Sequence, residues 1–260
     1  MFNTYVINLK HDKNKLNTII DNLNKTGIKP IRFNAINGKE RLTANNKKMV
    51  TTRCLDYCPY SAIGIGLSHI NLAKQFYNSD PNNYCLILED DAKPLYNDIK
   101  KKINEIVNTY PQDWDIIKLY CQGICNYNKK NKPTKFSGSM CAYLLSKRGA
   151  IKMSNIRLKW HIDVQINYMN INIYNSMTPL FVPDNNISSS YTNNNTVLKK
   201  IFGFKLNKYD PTVDWYLGNA VFRLPHTNTT YNYYQLIGII FLIIVIIIIA
   251  SIGFIKLKKR

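Results

Sequence analysis

The stretch CLILEDDAKPL, residues 85–95, carries three adjacent acids, Glu89, Asp90 and Asp91, directly after an apolar run. The chain has 35 Lys+Arg against 16 Asp+Glu, so three acids side by side stand out. Carboxylates suit hard cations. Mg2+ or Mn2+ takes oxygen ligands and is commonly shared between one or two carboxylates and the phosphates of a substrate. An ion held in this way stabilises the charge that grows on a departing diphosphate. Adjacent residues of a strand point to opposite faces, so all three acids cannot serve one ion unless the strand has already turned. The expectation is Asp91 at the ion, Asp90 or Glu89 near it, and the third acid in a structural hydrogen bond. Two other readings compete. The triplet can be a solvated strand end or a helix N-terminus, where the dipole favours acids. It can also be the acid pocket of a phosphorelay receiver, but that needs a phospho-acceptor Asp on a later strand, and none is so placed.

The elements that must position these acids follow from periodicity. Residues 4–9, TYVINL, predict a short buried strand. Leu16, Ile19, Ile20 and Leu23 recur at helical spacing, and Gly27 offers a stop. Residues 31–36, IRFNAI, predict a second strand, giving a β-α-β opening. Residues 41–60 are polar and read as irregular. Ser61 is placed to cap a helix carrying Leu67, Ile70 and Tyr77. Residues 84–88 predict the strand that ends in the acids. Helical spacing returns at Ile99, Ile103, Ile106 and Val107, followed by a strand at 116–120. A lysine-rich loop at 126–137 leads to a strand at 140–146, a helix starting in KRGAIKM, a helical stretch at 162–169, and a strand within 171–183. Alternating strands and helices predict an α/β fold with a mostly parallel sheet and flanking helices. In such sheets ligands bind outside the carboxyl ends of the strands, which is where the triplet falls. Residues 184–196 read as a polar linker, and 197–224 show no clear period.

At 260 residues the chain suffices for one sizeable domain and an appendage. The formal net charge of +19 would suit nucleic acid, anionic lipid or anionic substrate. The abundance of Asn, Lys, Ile and Tyr also follows from an AT-rich codon bias. No nucleic-acid-binding motif is present, so no dedicated nucleic-acid partner is expected. Cys54 and Cys58, and Cys121 and Cys125, are spaced C-x3-C. Disulfides, free thiols and half-sites of a structural metal all remain open for them. Cys85 and Cys141 read as buried small hydrophobes. Residues 236–255, LIGIIFLIIVIIIIASIGFI, run 20 residues without a charge, enough to span a bilayer's hydrocarbon core of ~30 Å. Tyr231, Tyr233 and Tyr234 precede the run, and Lys256, Lys258, Lys259 and Arg260 follow it. The first residues lack the apolar stretch of a secretory signal. The expectation is a single-pass C-terminal anchor in the lipid bilayer through residues 236–255.

Six segments stand in an order that is informative as a set. They are YVINLKHDKNK (5–15), IRFNAINGKE (31–40), IGIGLSHINLAKQF (63–76), LILEDDAKP (86–94), GSMCAYLLSKRGA (138–150) and HIDVQI (161–166). Their order and gaps resemble glycosyltransferase family 25, the lipooligosaccharide and collagen galactosyltransferases, over about residues 5–183. The resemblance implies a GT-A-like, Rossmann-like fold. It implies inverting transfer of a sugar, often galactose, from a UDP-sugar donor with a divalent metal, Mn2+ or Mg2+. It places Asn8, Lys15, Asn37, Gly64 and His69 on the nucleotide-sugar side and Asp91 with Glu89 at the metal. Asp90 and Asp163 are the catalytic carboxylates, Asp163 on the acceptor side, where a base takes the acceptor's hydroxyl proton. Asp163 has a plain alternative as a helix cap. His69 has one as a hydrogen-bonded core histidine, with Ser68 as its partner. Gly64 and Gly66 would let backbone approach the nucleotide or a strand. The chain departs from the family pattern at Lys10, Ala62, Ile65 and His161, which bears on the donor sugar more than on the fold.

The domain reading is a catalytic domain at 1–183, a linker and extension at 184–234, a transmembrane helix at 235–255 and a basic tail at 256–260. The expected activity is membrane-anchored, metal-dependent transfer of a hexose to a glycan, lipid-linked or protein hydroxyl. The rivals are a catalytically degenerate member that binds glycans or a partner at the membrane, and a basic membrane-surface protein that recruits nucleic acid. The basic tail favours a lumenal catalytic domain, whereas the missing signal favours the cytosolic face. The cytosolic face is the expectation.

Overall fold

The computed structural model describes residues 2–121, 133, 137–184 and 220–258. The chain divides into two compact units, Met1–Ser190 and Tyr191–Arg260. The first opens with β1 (Asn3–Asn8), α1 (Lys13–Asn24) and β2 (Ile31–Asn34). Ile19 and Leu23 bury one stripe of α1. Gly27, at φ 71°, then reverses the chain, a conformation that costs a residue with a Cβ. This is the β-α-β opening that the sequence predicts. The next segment differs from expectation. Two short helices, α2 (Ala44–Lys48) and α3 (Thr52–Tyr57), occupy what reads as irregular. They lack an apolar period but are capped, Thr43 accepting from Asn46 N and Thr51 from Cys54 N. A disulfide joins Cys54 to Cys58 at the end of α3. Cys121 is also disulfide-bonded, whereas Cys85 and Cys141 are buried free thiols.

Helix α4 (Tyr60–Ser79) starts behind Pro59 rather than at a Ser61 cap. Proline's fixed φ presets the entry, and its missing N–H costs nothing where helical donors have no partner. Then follow β3 (Tyr84–Glu89), β4 (Ala92–Pro94), α5 (Ile99–Thr109), β5 (Ile116–Lys118), β6 (Ala142–Ser146) and α6 (Lys147–Ser154). The unit closes with α7 (Ile162–Gln165), one 3-10 turn at Ile166–Tyr168, β7 (Ile173–Asn175) and β8 (Phe181–Pro183). Residues 171–183 thus hold two strands rather than one. Apart from 133 and 137, the lysine-rich loop at 126–137 lies outside the described residues, as does the 184–196 linker beyond 184.

Six strands form one sheet in the order β2-β1-β3-β6-β5-β7. All run parallel except β6, which is antiparallel to both β3 and β5. Strand β3 is buried on both faces, so YCLILE is almost continuously apolar rather than alternating. On one face Tyr5, Ile7, Cys85, Ile87 and Tyr143 meet Ile63, Leu67, Ile70 and Phe76 of α4. On the other, Val6, Leu86, Leu88 and Ile117 meet Ile19 and Leu23 of α1 and Ile99 and Ile103 of α5. Each such side chain contributes roughly 1.5–3 kcal/mol by burial, and helices on both faces keep the sheet from sliding. A separate two-stranded sheet pairs β4 with β8. Strand β4 leaves the main sheet directly after the acids.

The second unit contains the antiparallel pair β9 (Ala220–Arg223) and β10 (Thr230–Asn232), with Phe222 and Tyr231 rings 6.3 Å apart. Helix α8 (Tyr233–Lys258) follows. Asn232 Oδ1 accepts from Gln235 N, and Gln235 Oε1 accepts from Asn232 N, both at 2.9 Å. This reciprocal cap starts the helix three residues before the apolar run. Its stretch Tyr233–Ser251 is long and apolar enough to cross a membrane, and none of it is buried.

Candidate functional site

The parallel strands all end polar: β1 in Asn8, β2 in Asn34, β3 in Glu89, β5 in Lys118 and β7 in Asn175. These carboxyl ends form one edge of the sheet, where open α/β sheets place their ligands. Asp90 and Asp91 are the turn between β3 and β4. The strand has therefore turned at the second acid, the condition under which the triplet escapes strict alternation.

The three carboxylates go to three destinations. Glu89 continues the face of Cys85 and Ile87 towards α4. There its Oε1 lies 3.2 Å from His69 Nε2, and His69 Nδ1 lies 2.9 Å from the Tyr143 hydroxyl. Asp90 belongs to the α1 side. Its Oδ2 accepts from Asn8 Nδ2 at 2.8 Å, and its Oδ1 is 3.9 Å from Lys15 Nζ. Asn8 also donates to Asp12 O and accepts from Arg32 Nε, so its amide is engaged at both ends. Asp91 is the acid without a strong partner among the described residues. Its carboxylate has the Cys141 thiol at 4.0 Å, and its backbone carbonyl accepts from Asp184 N.

These environments set the charges. Burial raises the Asp91 carboxyl to about 7, and the charges of Glu89 and then Asp90 push the same way. Burial also raises Asp90, against the pull of Asn8 and Lys15. A crowded, partly dehydrated carboxylate is a site where an added cation gains most. Among the described residues no three His, Cys, Asp or Glu side chains converge as a cage. Asp91, with Asp90 and Glu89 beside it, supplies the one or two hard oxygens that Mg2+ or Mn2+ takes from protein when phosphates and water complete its shell. The donor set fits such an ion.

The remaining predicted residues divide. Lys15 joins the acidic turn as described. His69 is fully buried and its Nε2 lies against Glu89, the setting that the core-histidine alternative describes. Ser68 is not its partner, because the hydroxyl accepts from Ile36 N and donates to Gly64 O. Gly64 makes a close approach, but to the chain itself. A Cβ there would lie 2.5 Å from Ile36 O and 2.7 Å from Gly38 N, so the close approach is to the loop after β2. Gly66 faces the Leu158 side chain. Asn37 lies in that same loop, its Oδ1 accepting from Lys39 N and its Nδ2 donating to Glu40. Asp163 stands in the first turn of α7, where its Oδ1 accepts from Val164 N at 2.9 Å. It does not cap α7 from the N-cap position, which is His161.

One charged residue of this edge is missing from the sequence reading. Lys118 is 1% exposed, and burial lowers its ammonium to about 7 against the opposing pull of Asp163 and then Glu89. The signal was a lysine inside the apolar run IIKLY, where a charge is costly without a reason. Asn175 was missed as well. It is buried, and its Nδ2 has no hydrogen-bond partner among the described residues.

The sequence model of glycosyltransferase family 25, described as an LPS biosynthesis protein, matches residues 1–169. No curated protein matches the chain. Among solved structures, a mutant of Drosophila β1,4-galactosyltransferase 7 in complex with manganese, UDP-Gal and xylobiose is similar at 12% identity and a TM-score of 0.36, over 76% of this chain and 77% of that one. A protein from STIV is similar at 11% identity and a TM-score of 0.38, over 75% of this chain and 100% of that one.

Proposed function

The chain belongs to glycosyltransferase family 25, and from that premise we propose that it moves a hexose, galactose first among the candidates, from a UDP-sugar to a hydroxyl of a glycan, lipid-linked or protein acceptor, with inversion. The observation that carries the reading is the acidic turn at the carboxyl end of β3, with Asp91 raised to about 7 and no strong partner of its own among the described residues. In this proposal Asp91 is the principal ligand of Mn2+ or Mg2+, and Glu89 and Asp90 supply supporting charge. The ion would neutralise charge on the leaving diphosphate. His69 and Tyr143 hold Glu89, and Asn8 and Lys15 hold Asp90, so the turn is rigid before substrate arrives. Asn37 lies towards the nucleotide. Asp163 accepts the acceptor's hydroxyl proton as the anomeric carbon is attacked from the opposite side. The mostly parallel sheet with one antiparallel strand agrees with the GT-A-like architecture implied by the family.

The proposal places residues 1–183 as the catalytic domain, 184–234 as linker and extension, 235–255 as a single-pass anchor and 256–260 as a basic tail, with the catalytic domain on the cytosolic face. Support for the anchor comes from α8, none of whose apolar stretch Tyr233–Ser251 is buried. Resistance of the full chain to alkaline carbonate extraction tests the anchor. A glycosidase-sensitive mass shift in eukaryotic cells would refute the cytosolic orientation.

The activity test uses the full chain in detergent, with UDP-sugars, an acceptor panel and Mn2+. Release of UDP that needs both metal and acceptor, and that is lost in a folded Asp91→Ala variant, is expected. If the metal-loaded protein neither binds nor turns over any UDP-sugar, the reading fails. A second reading, a non-catalytic family member that binds glycans at the membrane, draws on the lack of a three-ligand cage among the described residues. Glycan binding that ignores nucleotide and metal would favour it.

A further inference from the structure

A strand that only packs would carry an apolar residue at position 118. Lys118 instead puts an ammonium into the interior, at a desolvation cost of several kcal/mol. Two of its three N–H donors reach Ser137 O at 2.6 Å and Gly138 O at 3.1 Å. Ser137 lies ahead of β6, and the ends of β5 and β7 and the 3-10 turn at Asn167 all meet on it. Its carbonyl also accepts from Asn167 Nδ2 at 3.2 Å, and its N–H donates to Asn167 Oδ1 at 2.8 Å. Its hydroxyl donates to Asn175 Oδ1 at 2.7 Å, at the end of β7. Asn167 Nδ2 in turn donates to Asp163 O at 2.7 Å. A chain of hydrogen bonds therefore runs from the end of β5 through Ser137 and Asn167 to the backbone of Asp163. The carboxylates of Asp163 and then of Glu89, in the acidic turn, both favour the Lys118 charge.

We propose that Lys118 is a positioning residue that ties the acceptor side of the crevice to the donor side: through Ser137 and Asn167 it fixes α7 at Asp163 in register with the acidic turn. The inference rests on the glycosyltransferase reading for what is being positioned. The tether from β5 to α7 stands on these hydrogen bonds, and the ladders of β5 with β6 and of β6 with β3 carry it to the acidic turn. No contact to substrate is assigned to Lys118, and the side chain is too buried to make one.

The test compares Lys118→Met and Lys118→Arg with wild type, as full chains in detergent. In Lys118→Met, kcat for transfer falls about 100-fold, the cost of a misplacement near 1 Å. KM for the UDP-sugar stays within about twofold, because the donor turn is not moved. Lys118→Arg, which keeps charge and donors, recovers at least about tenfold. Hydrogen exchange by mass spectrometry gives a readout that needs no turnover. Segments 137–141 and 160–168 exchange faster in Lys118→Met, while β1 and α4 do not change. Wild-type kcat in Lys118→Met, or wild-type exchange over those two segments, overturns the proposal. Should Lys118→Met loosen everywhere, Lys118→Arg decides: retained kcat supports the tether and lost kcat overturns it. A wild type inactive on every UDP-sugar, but with the local exchange response intact, refutes the glycosyltransferase reading and leaves the tether standing.

Discussion

Replacing Asp91 by Asn should make the protein more stable at pH 8. The folded-state carboxyl sits at about 7 rather than the ordinary 3.8, because burial and then the charges of Glu89 and Asp90 disfavour its ionised form. Between pH 4 and 7 the folded chain thus holds a proton that the unfolded chain has lost. Stability falls as pH rises through that window and is level above it with respect to this group. At ~1.4 kcal/mol per pH unit the displacement sets a ceiling of ~4 kcal/mol. Partial exposure of the turn and the amide's own unpaired donors reduce the expected gain to about 1–2 kcal/mol. In a chain of this size that is a rise in Tm of roughly 3–6 °C. Trp114, buried in the core with its ring edge-on to Tyr84, provides a fluorescence signal for thermal melts of the full chain. Lys118, which burial lowers to about 7, titrates across the same pH range with the opposite sign, so the readout is the difference between Asp91→Asn and wild type, which should be larger at pH 8 than at pH 5.5. Mn2+ should raise the wild-type melt at pH 8 and leave Asp91→Asn unmoved. Asp80 does not confuse the assay. Burial pushes its carboxyl up, but hydrogen bonds from Asn82, Tyr5 and Asn3 win and hold it below its ordinary value, so its contribution is lost only in stronger acid. A variant no more stable than wild type at pH 8 would sink the electrostatic account of the turn.

Three other outcomes follow from the geometry. Tyr143→Phe removes the partner of buried His69 Nδ1 and should cost about 1–3 kcal/mol in urea denaturation. Asp115 is fully buried and held by Arg148 Nε at 2.7 Å and Lys152 Nζ at 2.6 Å. Removing both cations strands its charge and should cost about 3–5 kcal/mol, more than Asp115→Asn, because Arg148 and Lys152 reach solvent when released. Gly64→Ala strikes the fixed backbone of Ile36 and Gly38 and should cost about 1–3 kcal/mol. Gly66→Ala meets only the flexible end of Leu158, and the ~1 kcal/mol gain in helix propensity offsets that contact; paired thermal melts separate the two.

Sheet and helices were legible because their signals are repetitive. The run YCLILE announces a strand buried on both faces, and Ile99, Ile103 and Ile106 announce one stripe of α5. Helices α2 and α3 were not legible, because they are too short to show a period and are held by single threonine caps and a disulfide. Strand β4 was hidden for a related reason: three residues, one of them proline, form a strand only through pairing with β8, some 90 positions later. The acids were legible as a group but not in their division of labour, since that depends on which face each one inherits. Glu89 and Asp90 part because β3 ends between them, and only the helices on the two faces decide that one meets His69 and the other Lys15.

Lys118 shows why the site extends further than its acids. Three charges in a row draw the eye, whereas one lysine within an apolar strand reads as a blemish in the pattern. The physics reverses that ranking. Two of the three acids are occupied by protein partners, so the triplet offers the ligand little more than Asp91. A single ammonium that is 1% exposed must be held by the surrounding structure or expel its charge, so it reports on every element that touches it. Ser137, Asn167 and Asn175 are ordinary polar residues in the sequence, and their positions acquire meaning only from the cation they surround. If Asp163 takes the acceptor's proton, its distance from Asp91 matters, and the burial of Ile162 and Ile166 around it is one part of what sets that distance. The hydrogen-bond chain through Lys118 is the other. The variants that matter most for transfer should therefore include residues that never meet a sugar.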